Sequence, residues 1–310
     1  MLDVSEQTVA RRFRALHAAG ALRVMALGDA RAGGGQVWHV RMHCRPDAAD
    51  ALATTLAARD DVSWVSLASG GSEITCVVRS SVSDVGRSVL LERLPRTAQV
   101  LNFTAMTVLH MHVGGDAEWL AFDDPIDSRQ QQLLLSGATT GGADTAGESS
   151  AVSATIVAAD APLLAALAKD GRAGVVALAR ATGWPESRVS ARLDQLLASG
   201  AVHIEVDLAP QQFGFHATAY IWMTVAPGDL QFIGEALSVH PETSFVAAVT
   251  GAANLMAVVT CRDTEALYRY VTTKVGAHAS IRQAEVVPIL KRVKQAGTLM
   301  KDGRLSSPAM

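Results

Sequence analysis

Two stretches of this chain nearly duplicate each other. Ser5 to Leu22 carries Val9, Arg12, Phe13, Leu16 and Gly20-Ala21 in an order that Pro185 to Val202 repeats with Val189, Arg192, Leu193, Leu196 and Gly200-Ala201, 180 residues on. Farther along, Trp64-Val65, Gly70 and Val77-Val78 return as Phe245-Val246, Gly251 and Val258-Val259, now 181 residues apart. A repeat this long describes two whole folding units rather than a short-period solenoid.

The 310 residues allow two to three domains of ordinary size, each able to bury a core. With 49% apolar and 18% charged residues, the composition is that of a globular protein. No apolar run approaches the roughly 20 residues of a bilayer span, and no basic-then-apolar leader opens the chain. The expectation is a cytoplasmic protein. Cys44, Cys76 and Cys261 are far apart and odd in number, which suits buried small hydrophobes better than disulfides or zinc. A net charge of −3 excludes DNA binding by bulk positive charge but leaves room for a local basic face.

Ser5 to Ala19 has a helical apolar stripe at Val9, Phe13 and Leu16, a Ser N-cap and Gly20 to stop it. The later copy opens at Pro185, runs through Val189, Leu193, Leu196 and Leu197, and stops at Gly200. Two short helices precede it, Leu163 to Lys169 capped by Asp160 and Val175 to Thr182 broken by Gly183, giving a helix-turn-helix pattern. Each pattern then gives way to βαββαβ. The first run uses Gln36 to His43, Ala48 to Ala58, Val62 to Leu67, Ile74 to Val78, Asp84 to Leu94 and Val100 to Met111. The second uses His216 to Val225, Asp229 to Val239, Thr243 to Val249, Leu255 to Cys261, Thr264 to Val275 and Ile281 to Leu290. That order predicts an α+β fold: winged-helix-like helix-turn-helix modules plus ferredoxin-like domains, each present twice. The open face of such a sheet needs covering, so pairing through the sheets is expected, within the chain or between chains as a homo-oligomer.

The predicted domains are a partial helix-turn-helix at 1–30, a ferredoxin-like domain at 36–113, a linker at 114–159, a second helix-turn-helix at 160–209, a second ferredoxin-like domain at 215–295 and a tail at 296–310. Ser136 to Ser153 is the flexible middle of the linker, and Trp119 to Leu135 could dock as a helix after Pro125.

This ordered set resembles the Lrp/AsnC, or feast/famine, transcriptional regulators. The resemblance rests on Leu163-Leu164 with Gly171-Arg172, Leu178-Ala179, Val189-Ser190-Ala191-Arg192-Leu193, Ser199-Gly200-Ala201-Val202, Phe213-Gly214, Val249-Thr250-Gly251 and the strand from Val286 to Lys294. The first unit matches from its third helix onward, and together the units are similar to a tandem form of the family. The resemblance implies double-stranded DNA binding by the helix-turn-helix, sensing of an amino acid or related small effector by the sheet domain, and assembly through that domain. One departure stands out: the counterparts of Asp160 to Trp184 would precede residue 1. Either the reading frame begins upstream of Met1 or the first helix-turn-helix is degenerate, since a third helix without its two partners exposes an apolar stripe.

On a wheel centred on Val9, Gln7, Arg11 and Arg14 oppose the apolar stripe, where a groove-reading helix places its donors. Ser5, Thr8 and Arg12 join them as DNA-binding candidates. A solvated basic face is the plain alternative. The matching face of the second copy holds Ser187, Ala191 and Asp194, with Ser190, Arg188 and Arg192 as further DNA-binding candidates, the arginines placed for phosphates. Arg192 fits a structural pairing with a nearby acid equally well. For the effector, the candidates are Gly70, Gly71 and Glu73 in one copy and Gly251 and Asn254 in the other, at the turn where the family commonly has Gly followed three residues on by Asp. Glycine lets backbone amides approach a carboxylate, and an acid could take an ammonium group; a plain β-turn explains the same residues. His110 and His112 share a strand face without an evident third metal ligand. No nucleophile set, Walker loop or dinucleotide fingerprint is present, so neither an enzyme nor a cofactor is expected. The rival reading is a metabolite sensor that works through protein partners and has lost its DNA-reading surface.

Overall fold

A computed structural model describes residues 5–28, 35–80, 98–114 and 155–306. In chain order, α1 (Glu6–Ala18) and β1 (Leu22–Gly28) are followed by β2 (Gln36–Cys44), α2 (Ala49–Ala57), β3 (Val62–Ala68), β4 (Glu73–Ser80) and β5 (Val100–Val113). Next come α3 (Ala161–Lys169), α4 (Val175–Thr182), α5 (Glu186–Ala198) and β6 (Val202–Leu208). The chain finishes with β7 (Ala217–Val225), α6 (Leu230–Ser238), β8 (Thr243–Val249), β9 (Leu255–Cys261), α7 (Thr264–Tyr270), β10 (Ile281–Gln295), β11 (Thr298–Lys301) and β12 (Arg304–Leu305). The expected helix from Asp84 to Leu94, the docking helix after Pro125 and the linker middle lie outside the described residues. These elements form a mixed α/β fold in two compact units, one built from α1, β1, α3 to α5 and β6, the other from β2 to β5 and β7 to β12.

In the helical unit, α1 ends as its sequence predicts. Gly20 takes φ 65°, the Ala21 amide donates to Leu16 O at 2.9 Å and the Gly20 amide donates to His17 O at 3.0 Å, a Schellman stop. The stripe of α5 is buried against α3 and α4, with Val189, Leu196, Leu163, Leu167 and Leu178 at the centre of the core. β1 and β6, which local periodicity did not reveal, pair antiparallel over their whole length, Leu22 opposite Leu208 and Gly28 opposite Val202. The ribbon is tied to the α3–α4 turn, because the Gly171 amide donates to Val24 O at 2.9 Å and Arg23 Nη2 donates to Lys169 O at 2.7 Å.

The sheet unit departs from expectation. Instead of open-faced sheets, its strands run β10-β3-β4-β2-β5-β8-β9-β7, and β7 pairs back to β10, so the sheet closes on itself. Two long strands make closure possible, because each pairs with a different neighbour along each part of its length. β5 pairs with β2 up to Thr107 and with β8 from Val108; β10 pairs with β7 up to Pro288 and with β3 from Ile289. Pro288, which has no amide to donate, sits where β10 changes partner. Alternation sorts the side chains. Val40, Met42 and Cys44 pack under α2, while Ile221, Met223 and Val225 pack in the core under α6 and α7. Inward-facing Met106, Tyr220, Trp222, Ala247, Met256 and Val287 form a separate core that, among the described residues, draws on no helix. All three cysteines are free and buried, and burial pushes the Cys76 thiol up to about 12 and Cys261 up to about 11. Part of the expected tail is ordered, as β11 and β12 extend the sheet beyond β10.

Candidate nucleic-acid interface and effector site

The two helices expected to read DNA share a length of 13 residues and differ in what they cover. On α5, Val189 and Leu196 are fully buried; on α1, the matching Val9 and Leu16 are 43% and 37% exposed. Phe13 is partly covered by the Arg172 guanidinium, 4.4 Å from its ring centroid. Gln7, Arg11, Arg12 and Arg14 are all exposed. Ser5 and Thr8 hold the start of α1: Ser5 Oγ accepts from the Thr8 amide at 3.2 Å and meets Thr8 Oγ1 at 3.0 Å. Arg14 Nε reaches back to Ala10 O at 3.2 Å.

On α5, Ser187 and Arg188 are exposed and Ser190 is half-buried. Arg188 lies over the Trp184 ring at 4.1 Å, which limits the positions of its guanidinium. Arg192 behaves differently. Its Nε and Nη2 donate to the two oxygens of Asp160 at 2.9 and 2.6 Å, and Nη2 also donates to Thr155 O at 2.9 Å. The pairing favours the structural reading of Arg192 that the sequence left open. Asp160 does not cap α3 with its side chain as expected; it accepts from the Val157 amide and from Arg192 instead. The Arg192 hydrogen bond holds the Asp160 carboxyl below the usual carboxylate range, against the opposing effect of its burial. A shallow groove of about 290 Å³ runs beside these residues, lined by Asp160, Trp184, Arg188, Arg192 and Gln195 among others.

The two turns expected to meet an effector place their glycines in left-handed backbone, Gly70 at φ 67°, Gly71 at φ 91° and Gly251 at φ 112°. The side chains expected to select a ligand are already engaged. Glu73 is buried, accepting from Arg41 Nε at 2.8 Å, Arg41 Nη2 at 3.1 Å and Ser69 Oγ at 3.1 Å. Asn254 donates to Val225 O and accepts from the Val225 amide, both at 2.8 Å, fastening the turn to the end of β7. Neither side chain is open to an ammonium group.

Sequence reasoning missed Arg41 and Glu285. Arg41 Nη1 and Nη2 donate to Glu285 at 2.8 and 2.9 Å, and its guanidinium lies 4.9 Å from the Trp222 ring centroid. Burial draws the Arg41 pKa down, but the hydrogen bonds to Glu285 and Glu73 outweigh it and hold the pKa above its usual value. His39 was missed too: it is buried beside Phe245 and Trp222, and burial lowers its pKa to about 4. His110 and His112 lie together, ring centroids 4.7 Å apart, but no cluster of three metal-ligating side chains occurs among the described residues.

Residues 218–299 match the Lrp/AsnC ligand binding domain. An HTH-type transcriptional regulator of Pyrococcus abyssi is 32% identical over 139 residues, which is 44% of this chain and 87% of that protein. The HTH-type transcriptional regulator FL11 of Pyrococcus horikoshii is 23% identical over 141 residues, 45% of this chain and 93% of its own length. In fold alone, the crystal structure of the siroheme decarboxylase NirDL matches 94% of this chain and 84% of its own, with a TM-score of 0.54 and 13% identity. The chain belongs to the Lrp/AsnC family of transcriptional regulators.

Proposed function

We propose that this chain is a tandem, single-chain DNA-binding regulator whose two ferredoxin-like halves pair with each other and whose DNA binding is modulated by a small effector of amino-acid type. The observation that carries this reading is the β1–β6 ribbon. It joins α1 and α5, two helices at equivalent positions of the repeat, much as a dimer contact joins two recognition helices. On α1 the groove-facing donors are Gln7, Arg11 and Arg14; on α5 they are Ser187 and Arg188, with Arg192 supporting the helix from behind. The effector is held by the backbone of the turns at Gly70-Gly71 and Gly251, and the protein works in the cytoplasm. It acts without enzymatic turnover, and chains associate further through the sheet unit.

The deciding experiment is a mobility shift with DNA from upstream of its own gene, run at several salt concentrations. Arg11→Ala and Arg188→Ala should each weaken binding and flatten the salt dependence by about one unit of slope. Unchanged affinity in both variants would remove the DNA-reading assignment. Thermal shift with a panel of amino acids tests the effector, since a ligand at 100 times its Kd should stabilise the protein by about 2.7 kcal/mol.

Two observations support a second reading, a sensor that acts through protein partners. Asp194 is exposed on the face of α5 that would meet phosphate, and the apolar stripe of α1 is open. No DNA binding at any salt, together with a ligand-dependent thermal shift, would select it.

A further inference from the structure

The closed sheet has an internal correspondence that makes its inward contacts informative. β2, α2, β3, β4 and β5 recur as β7, α6, β8, β9 and β10 with a displacement of 181 residues at their first strands, Gln36 and Ala217, and at the seams. The seams obey the same displacement. Val108 faces Val249 across one, and their counterparts Ile289 and Ala68 face each other across the other. Each inward residue of one half therefore has a known counterpart in the other half, and the chemistry of the two can be compared position by position.

Backbone register is symmetric, but several inward side chains are not. Arg41 corresponds to Trp222, and those two residues stack on each other, guanidinium over indole at 4.9 Å. Glu285 corresponds to Thr104, and it is Glu285 that grips Arg41, with oxygens 2.8 and 2.9 Å from the guanidinium. Ser66 corresponds to Ala247, and it is Ser66 that accepts from the buried Tyr220 hydroxyl at 3.3 Å. We propose that Arg41, Trp222 and Glu285, with Ser66 and Tyr220, form a pairing code that makes the first half of the sheet accept the second half and reject a copy of itself. Its partner surface is thus the unlike half, in the same chain or in another.

The chemistry of the rejected pairings follows from the counterparts. Two first halves would stack Arg41 on a second Arg41 and put Thr104 where the bridging carboxylate stands. Two second halves would stack tryptophans, leave Glu285 without its guanidinium and set Tyr220 against Ala247. An isologous pairing repeats every contact twice, so each mismatch counts twice. Discrimination of this kind comes from the unfavourable contacts in the wrong complex as much as from good ones in the right one.

The test uses full-length chains carrying Arg41→Glu or Glu285→Arg, each with a different affinity tag, denatured and refolded separately, together, and as the double variant on one chain. In the mixture, the first half of the R41E chain meets its complement only on the E285R chain, while Arg41 and Glu285 of the other two halves also match. Co-refolding should therefore give about tenfold more mixed-tag complex than a wild-type pair does, read by sequential affinity capture and light scattering. The double variant should recover the part of the lost Tm that the Arg41–Glu285 contact carries, while the part owed to the Arg41 bonds to buried Glu73 stays lost. Mixed-tag complex no more abundant than in the wild-type pair, or a double variant no more stable than the weaker single, would overturn the proposal. Poor folding of either single variant alone does not affect these readouts.

Discussion

Arg192 and Asp160 hold each other through two hydrogen bonds, at 2.9 and 2.6 Å, with the carboxylate almost fully buried between α5 and the segment that leads into α3. Removing the guanidinium leaves a buried charge without its partner, which costs far more than the net worth of the pair. Arg192→Ala should lose about 2 to 3 kcal/mol by denaturant titration, and Asp160→Asn somewhat less. The stability contributed by this low-pKa carboxyl is present above its unfolded pKa and fades as the pH falls through the folded value. By contrast, Arg11→Ala should leave the denaturation midpoint unchanged, and Arg188→Ala should lower stability only by the roughly 0.5 to 1 kcal/mol of its stack on Trp184. A drop in DNA affinity for Arg192→Ala without loss of stability would show a contact role after all.

His39 should make the sheet unit sensitive to acid. Its ring is buried and stays neutral down to about pH 4, whereas in the unfolded chain it takes up a proton near pH 6.5. Between these values the unfolded state binds more protons, so stability rises with pH and is lost as the pH falls, by up to about 3 kcal/mol. His39→Phe, which keeps an aromatic ring beside Phe245 and Trp222, should flatten that part of the stability profile. An unchanged profile would mean that other groups carry the acid response.

Asn254 tests whether the turn at Gly251 is fixed by a side chain. It makes two 2.8 Å hydrogen bonds to the Val225 backbone. Asn254→Ala should cost about 1 to 3 kcal/mol and raise amide exchange at Val225. Asn254→Asp should do worse, because a carboxylate cannot donate to Val225 O. Equal stability of all three proteins would show that the turn holds itself.

Gly171 is required for close approach rather than for its backbone angle. A Cβ there would lie 2.7 Å from the Met25 carbonyl carbon, against backbone that cannot rotate away. Gly171→Ala should therefore cost about 2 to 3 kcal/mol and loosen the β1–β6 ribbon, seen as faster amide exchange at Val24. A neutral result would mean that the ribbon is free to shift away from the turn.

What the sequence disclosed was local. The stripe through Val189 and Leu196 predicted a buried face for α5, and the alternation around Val40 and Met42 predicted a strand with one face under a helix. β1 and β6 escaped because their pairing joins residues about 180 apart, and no local period records such a partner. The same distance problem hid the role of Glu73. Its neighbours in the sequence suggested an acid open to a ligand, but β2 brings Arg41 beside it and closure of the sheet brings Glu285 to the same guanidinium. One sign was available: aligning the repeat sets Arg41 against Trp222, a cation against an aromatic ring.

A sheet that closes through shared strands also has a particular way of coming apart. An open sheet can fray from its outermost strand, but in this ring each of the eight strands from β10 round to β7 has a neighbour on both sides. Opening must therefore begin by breaking a pairing inside the ring, and rupture of one seam, β5 with β8 or β10 with β3, leaves a connected ribbon held by the other. The slowest-exchanging amides are then expected where β2 meets β4 and β7 meets β9, far from either seam.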